Sequence, residues 1–279
     1  MLPYVDLLGL RISLYGPLIV LGVMTGLTWF VRRRDTAEPL RGFSDGWFWT
    51  ISLAHIFGGV LGGKAGYFLV EWRDLSSPPW DIFFSDWRAG WVHWFEAIVA
   101  IVCGWTALQF YNRTHRRRLY APFADYGAAA LGLGLWIGRV ACFCAGCCHG
   151  RPTDLPWGVS FKNIASSVDE SLLGVSLHPT QLYESAGVLA LSLFLVFYVL
   201  PNIERKRFKY GTAYYGYLIL YSLLRFTVEC FRGDDRGGVF LPVLSPAQWV
   251  SLACLGFGAV TARRQGVIER RPGERSLYA

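Results

Sequence analysis

Arg139 stands inside the end of an apolar run, in Gly138-Arg139-Val140-Ala141-Cys142, where a guanidinium is costly unless it pairs or binds something. Other polar groups interrupt apolar stretches in the same way. Lys64 lies in Gly62-Gly63-Lys64-Ala65-Gly66-Tyr67, and His178, Gln181 and Glu184 open a further run. Arg225 and Glu229 are four residues apart, and His93 and Glu96 three apart, spacings that put each pair on one helical face. Arginine forks match phosphate bidentately, so two or three such cations gathered at one depth make an anion site. An imidazole held by a carboxylate, as His93 with Glu96 would provide, suits general-base work, and His149 is a second candidate for that task. Around Arg139 four of the seven cysteines collect: Cys142, Cys144, Cys147 and Cys148. Cys144-x-x-Cys147 has redox spacing, and with Cys148 and His149 the group could hold a soft metal. Cys103 and Cys254 lie within apolar runs and read as small core residues.

The elements that must position these groups are membrane spans. The chain has 279 residues, 53% of them hydrophobic and 17% charged, with mean hydropathy +0.32. That balance belongs to an integral membrane protein and not to a soluble domain. The expected spans are Ile12–Val31, Trp47–Val70, Trp91–Phe110, Pro122–Cys144, Pro179–Leu200, Thr212–Phe226 and Pro246–Ala262, most approaching the roughly 20 residues needed to cross a bilayer. The first lacks a cleavage site and is expected to be retained. Basic residues follow the first, third, fifth and seventh runs: Arg32, Arg33, Arg34 and Arg41; Arg113, Arg116, Arg117 and Arg118; Arg205, Lys206, Arg207 and Lys209; Arg263, Arg264, Arg270, Arg271 and Arg275. The alternate loops are poor in Lys and Arg. The positive-inside rule therefore predicts an all-α polytopic protein of about seven transmembrane helices, with the N-terminus outside and the C-terminus cytoplasmic. Residues 1–279 are expected to form a single transmembrane domain, with an extracytoplasmic loop at about 147–177. Nucleic acid is excluded as a partner, because the net charge of +7 is dispersed over short loops at one face.

With that topology Lys64, Arg139, Arg225, Glu229, His93, Glu96, His178, Gln181 and Glu184 all fall near the outer surface. The anion available at that depth is a phospholipid headgroup. Gly132, Gly134 and Gly138, with the glycines near Lys64, serve either close helix packing or room for an acyl chain.

These residues resemble a known family. Gly138-Arg139 through Gly150-Arg151-Pro152-Thr153-Asp154-Leu155-Pro156-Trp157-Gly158-Val159 is similar to the signature of the bacterial prolipoprotein diacylglyceryl transferases. His178-Pro179-Thr180-Gln181-Leu182-Tyr183-Glu184 resembles its second motif, and Arg225-Phe226-Thr227-Val228-Glu229-Cys230-Phe231-Arg232 with Asp234 its third. Ile12-Ser13-Leu14-Tyr15-Gly16, the Lys64 element and Ser245-Pro246-Ala247-Gln248-Trp249 fit as well. The resemblance implies seven helices in the bacterial inner membrane, with the active site toward the outer side. It implies transfer of a diacylglyceryl group from phosphatidylglycerol to the lipobox cysteine of a prolipoprotein signal peptide, giving a thioether and glycerol phosphate. On it, Arg139, Arg225, Glu229, His93 and Glu96 are the catalytic candidates. Arg139, Arg225, Tyr15, Lys64, His178 and Gln181 are the phospholipid-binding ones. Arginines that stabilise a departing phosphate need no metal, and neither a metal nor another cofactor is expected.

The chain departs from the family where two asparagines and a glutamate are usual, at Cys142, Ala145 and Cys147, and the glycine pair of the third span is missing after His93. Two other functions therefore stand beside the transferase: a non-catalytic relative that binds phospholipid or lipoprotein, and a membrane thiol oxidoreductase or metal protein built on the Cys142–Cys148 cluster.

Overall fold

The computed structural model describes residues 4–7, 10–71, 93–116, 118–233 and 244–267, with side chains described outside 5–12, 67–71 and 93–98. A helix overlaps most of each expected apolar run: α1 (Tyr15–Thr36), α2 (Asp45–Glu71), α3 (His93–His115), α4 (Tyr120–Ala145), α5 (Thr180–Glu204), α6 (Thr212–Glu229) and α7 (Pro246–Arg264). Among the described residues α1, α4 and α5 are long and apolar enough to cross a membrane. Val20, Leu21, Met24, Leu131 and Phe197 on these helices are exposed, Phe197 to 75%, as expected of side chains that meet lipid. The protein is thus mostly helical and built for a bilayer.

The helices divide between two compact units. One comprises residues 39–120, where α2 packs closely along α3: a Cβ added at Gly58 would come within 2.7 Å of the Cys103 Cβ. Tyr111 stacks on His115 with ring centres 4.3 Å apart, and Phe43 and Trp47 close the same aromatic cluster. Lys64 belongs to this unit and is buried.

The other unit comprises residues 1–38 and 121–279. Here α1 and α4 meet backbone to backbone. A Cβ at Gly22 would lie 2.7 Å from the Gly134 carbonyl oxygen, and one at Gly26 2.6 Å from that of Ala130. Gly134 therefore serves helix packing, the small-residue contact that membrane helices favour. Asp125, fully buried on α4, accepts hydrogen bonds from the backbone N–H groups of Gly211 (2.6 Å) and Tyr214 (2.9 Å), satisfying the N-terminus of α6.

The all-α expectation needs one correction: short antiparallel pairings accompany the helices. β1 (Tyr4–Leu7) pairs with β2 (Leu10–Ser13), and β3 (Val159–Ser160) with β4 (Ser176–Leu177). Isolated bridges join Gly150 to Arg232 and Pro152 to Leu177. The physical reason is that the segment between α4 and α5 folds over its own core of Phe161, Val168 and Leu177, so its backbone groups must find partners.

Candidate active site

Three segments distant in sequence are knitted together by backbone hydrogen bonds. Gly150 N–H donates to the His178 carbonyl (3.0 Å) and His178 N–H to that of Arg151 (3.0 Å). Arg151 N–H donates to Phe231 (2.9 Å), and Gly233 N–H to His149 (3.2 Å). Gly150 is a required glycine here, since a Cβ would run into the His178 Cβ and come within 2.8 Å of the Phe231 carbonyl oxygen. This stitching places the end of α4, the start of α5 and the end of α6 side by side.

Glu184, on the first turns of α5, is 1% exposed and forms the centre of what results. Arg139 Nη2 lies 2.9 Å from its Oε1, Arg225 Nη1 3.7 Å from its Oε2, and the Tyr221 hydroxyl donates to Oε1 at 2.8 Å. Arg225 Nη2 also pairs with Glu229 Oε2 at 2.7 Å, the i,i+4 contact expected from their spacing. Arg232 Nε lies 3.9 Å from the same oxygen, and the Ser245 hydroxyl donates to Glu229 Oε1 at 2.9 Å. Ser245 is at the same time the N-cap of α7, in a capping box with Gln248 and with Pro246 in the first turn. The Ser-Pro-Ala-Gln-Trp element thus starts α7 and ties it to the cluster.

Three guanidiniums face two carboxylates in this group, an excess of one positive charge among the described residues. Arg139 Nε is buried with no hydrogen-bond partner among them. Buried donors are nearly always satisfied, so an unpartnered guanidinium N–H in a cationic cluster is ready for an anion.

Of the candidates read from sequence, Arg139, Arg225 and Glu229 are brought together. Tyr15 begins α1 within electrostatic reach of Arg139 and of Cys142, Cys147 and Cys148. His178 and Gln181 are buried and hold the loop: His178 Nδ1 is 3.2 Å from the Tyr183 hydroxyl, and Gln181 Nε2 donates to the Cys147 carbonyl at 2.7 Å. Burial, with Arg151 adding to it, pushes the His178 imidazole below its ordinary pKa. His93 and Glu96 fall in the first turn of α3, and their side chains lie outside the described residues, as does Asp234. His149 is buried with Nδ1 3.1 Å from the Gly150 carbonyl, an oxygen that can only accept, so Nδ1 is the donor there. Sequence reasoning noted Glu184 but did not make it a site residue, and it missed Tyr221 and Arg232. A carboxylate one helical turn after Gln181 was the available signal.

The cysteines regroup as well. Cys142, Cys147 and Cys148 come together, and Cys144 stays apart. The redox-spaced pair is therefore not the one the fold assembles. Cys142 and Cys144 are two residues apart on α4, which puts them on nearly opposite sides of the helix. Hydrogen bonds with Cys142 and Cys147, with Arg232 and Arg139 adding, pull the Cys148 thiol below its ordinary pKa.

Residues 3–263 match the profile of a family described as prolipoprotein diacylglyceryl transferase. The chain is 32% identical over 253 residues to the phosphatidylglycerol–prolipoprotein diacylglyceryl transferase of Clostridium tetani, covering 91% of this chain and 93% of that one. It is 33% identical over 250 residues to a second such enzyme from Clostridium perfringens, covering 90% of each. With that of Cupriavidus metallidurans it shares 30% over 255 residues, 90% of this chain and 88% of the other.

Proposed function

The chain belongs to the prolipoprotein diacylglyceryl transferase family, and on that premise we propose the reaction it performs and the parts that its residues take. It is a diacylglyceryl transferase that moves the diacylglyceryl group of phosphatidylglycerol to the thiol of a prolipoprotein lipobox cysteine. The acceptor sulfur attacks the glyceryl carbon, a C–S bond forms and the C–O bond to phosphate breaks. The leaving oxygen keeps the bonding pair and departs as glycerol phosphate. The barrier lies in the charge that grows on that phosphate.

The observation that carries the assignment is the cluster of Arg139, Arg225 and Arg232 around the buried Glu184 and Glu229, with an Arg139 Nε that has no hydrogen-bond partner among the described residues. Arg139 binds the phosphate and stabilises the departing charge, and Arg225 shares that task. Glu184 and Glu229 orient the guanidiniums, because each carboxylate touches more than one cation or hydroxyl. The thiol proton passes to His93 backed by Glu96, or to His149.

The enzyme spans the bacterial inner membrane seven times as one membrane domain, N-terminus outside, with its site toward the outer side. Helix ends support this orientation. Arg33 and Arg34, Arg113 and His115, and Arg263 and Arg264 close α1, α3 and α7. Arg139 and Arg225 instead lie toward the C-terminal ends of α4 and α6, which run the opposite way in an up-and-down chain.

The test is lipidation of a lipobox peptide by the purified full chain in vesicles containing phosphatidylglycerol. The expected result is a peptide heavier by one diacylglyceryl group, with glycerol phosphate released in equal amount. A folded protein that binds the vesicles and leaves the peptide unmodified would be a lipid-binding relative and not an enzyme.

A further inference from the structure

The Sγ atoms of Cys142, Cys147 and Cys148 all lie within 4.8 Å of one another. Adjacent cysteines do not ordinarily turn their sulfurs to one point, and here the backbone is bent to make them do so. Gly146 has φ +83° and Cys148 φ +62°, two left-handed residues within three positions. The left-handed region is open to glycine, whereas at Cys148 it is strained and the surroundings must hold it. They do so from the second motif. Thr180 Oγ1 donates to the Cys148 carbonyl at 2.7 Å and Gln181 Nε2 to the Cys147 carbonyl at 2.7 Å, while Gly146 N–H caps α4 on the Cys142 carbonyl at 2.9 Å. Three thiols are thus aimed inward from a fixed loop, one at the end of α4 and two beyond it.

We infer that Cys142, Cys147 and Cys148 form a three-thiolate zinc site whose fourth position receives the acceptor cysteine of the substrate. Zinc–sulfur bonds of about 2.3 Å in tetrahedral geometry place sulfurs about 3.8 Å apart, so the observed trio closes on the ion by side-chain rotation of about 1 Å or less. Three protein ligands with one open position is the arrangement of a catalytic zinc, whereas a structural site is closed by four. Zinc does no redox chemistry, and coordination releases the thiol protons to water. The complex of Zn²⁺ with three thiolates is an anion, and the guanidiniums of Arg139 and Arg232 lie within electrostatic reach of it.

The chemical role follows from the reaction and rests on the transferase reading, although the metal site itself does not. A thioether-forming step needs a nucleophilic sulfur at neutral pH. An acceptor thiol at the fourth position would give its proton to the base named above and be held by the zinc as the attacking thiolate. The C–S bond forms, the C–O bond breaks, the leaving phosphate goes to Arg139, and no electron is gained or lost. The site lies beside the arginine that holds the leaving group, where the nucleophile must arrive.

The test uses the purified full chain in detergent. Metal analysis is expected to find about one zinc per chain, with cobalt exchange producing a sulfur-to-cobalt charge-transfer band. Cys147→Ser and Cys148→Ser should each weaken zinc binding at least about tenfold, while Cys144→Ser and Cys230→Ser keep it. Arg139→Ala should also keep the metal, which shows that a folded chain without transfer activity still holds the site. Reduced, freely reactive thiols with no zinc, or a disulfide among the three, would overturn the proposal. If zinc is bound but a chelator that removes it leaves peptide lipidation unchanged, the catalytic role is wrong. If zinc is bound and no lipidation occurs in any metal state, the transferase reading fails while the metal site stands.

Discussion

Helix α4 carries two buried charges, Asp125 near its start and Arg139 near its end, about 20 Å apart along the axis. Their surroundings differ in one respect that separates structure from function. Asp125 is met by N–H groups at the head of α6, in short hydrogen bonds from Gly211 and Tyr214, and a carboxylate so held only anchors two helices. Close by, the Tyr126 hydroxyl donates to Glu204 at 2.8 Å, again a closed contact. Arg139 is matched only in part. One of its nitrogens reaches Glu184, and its Nε reaches nothing among the described residues. Satisfied buried charge holds a fold together, and buried charge with donors left over waits for a ligand.

Substitutions can break or sharpen that contrast. Arg139→Ala should lower kcat for lipidation by about 10²–10³-fold, the usual loss when a donor to developing charge is removed, with little change in thermal unfolding. A comparable fall in both would mean that Arg139 only holds the helices. Asp125→Ala should do the reverse, costing about 3 kcal/mol of stability by stranding two buried N–H groups, while molecules that remain folded turn over normally. Tm in detergent and activity per folded molecule, measured on the same sample, decide it.

Gly150→Ala lies between the two. Its methyl group would wedge apart the strands that join the three motifs, for about 1–3 kcal/mol of stability, and activity should fall because Arg139, Glu184 and Arg225 lose their register. Unchanged melting and lipidation would show that the stitching does not position the site.

The smallest effect concerns His178. Its folded pKa is depressed, so between the ordinary value of about 6.5 and the folded value the unfolded chain binds a proton that the folded chain refuses. Stability should therefore be full above about pH 6.5 and decline as pH falls below it. A shallower decline of Tm in His178→Gln confirms the assignment, and identical slopes reject it.

Much of this was legible in the residues because hydrophobic runs are long-range signals in short windows. Helices among the described residues overlap each of the apolar stretches, and the i,i+4 spacing of Arg225 and Glu229 is the ion pair observed. Local chemistry was equally readable, as in the Ser245–Gln248 capping box. What failed was anything that depends on which helix faces which. Glu184 looked like one more polar residue at a helix start, and only the approach of α4 and α6 makes it the carboxylate shared by Arg139 and Arg225. Gln181 and His178 read as ligand contacts, and the fold adds a bond from Gln181 Nε2 to the Cys147 carbonyl and a contact of His178 Nδ1 with the Tyr183 hydroxyl, which no spacing foretold.

The sequence by itself determined the membrane class, the helix positions and the family, since composition, periodicity and motif order are properties of one dimension. The choice among cysteines was decided by the tertiary structure alone. Spacing favours Cys144 with Cys147, but helical geometry turns Cys144 away, and two left-handed residues return Cys147 and Cys148 to Cys142. Whether a charge is satisfied or left with donors to offer is likewise a property of what packs around it, and no spacing along the chain reveals that.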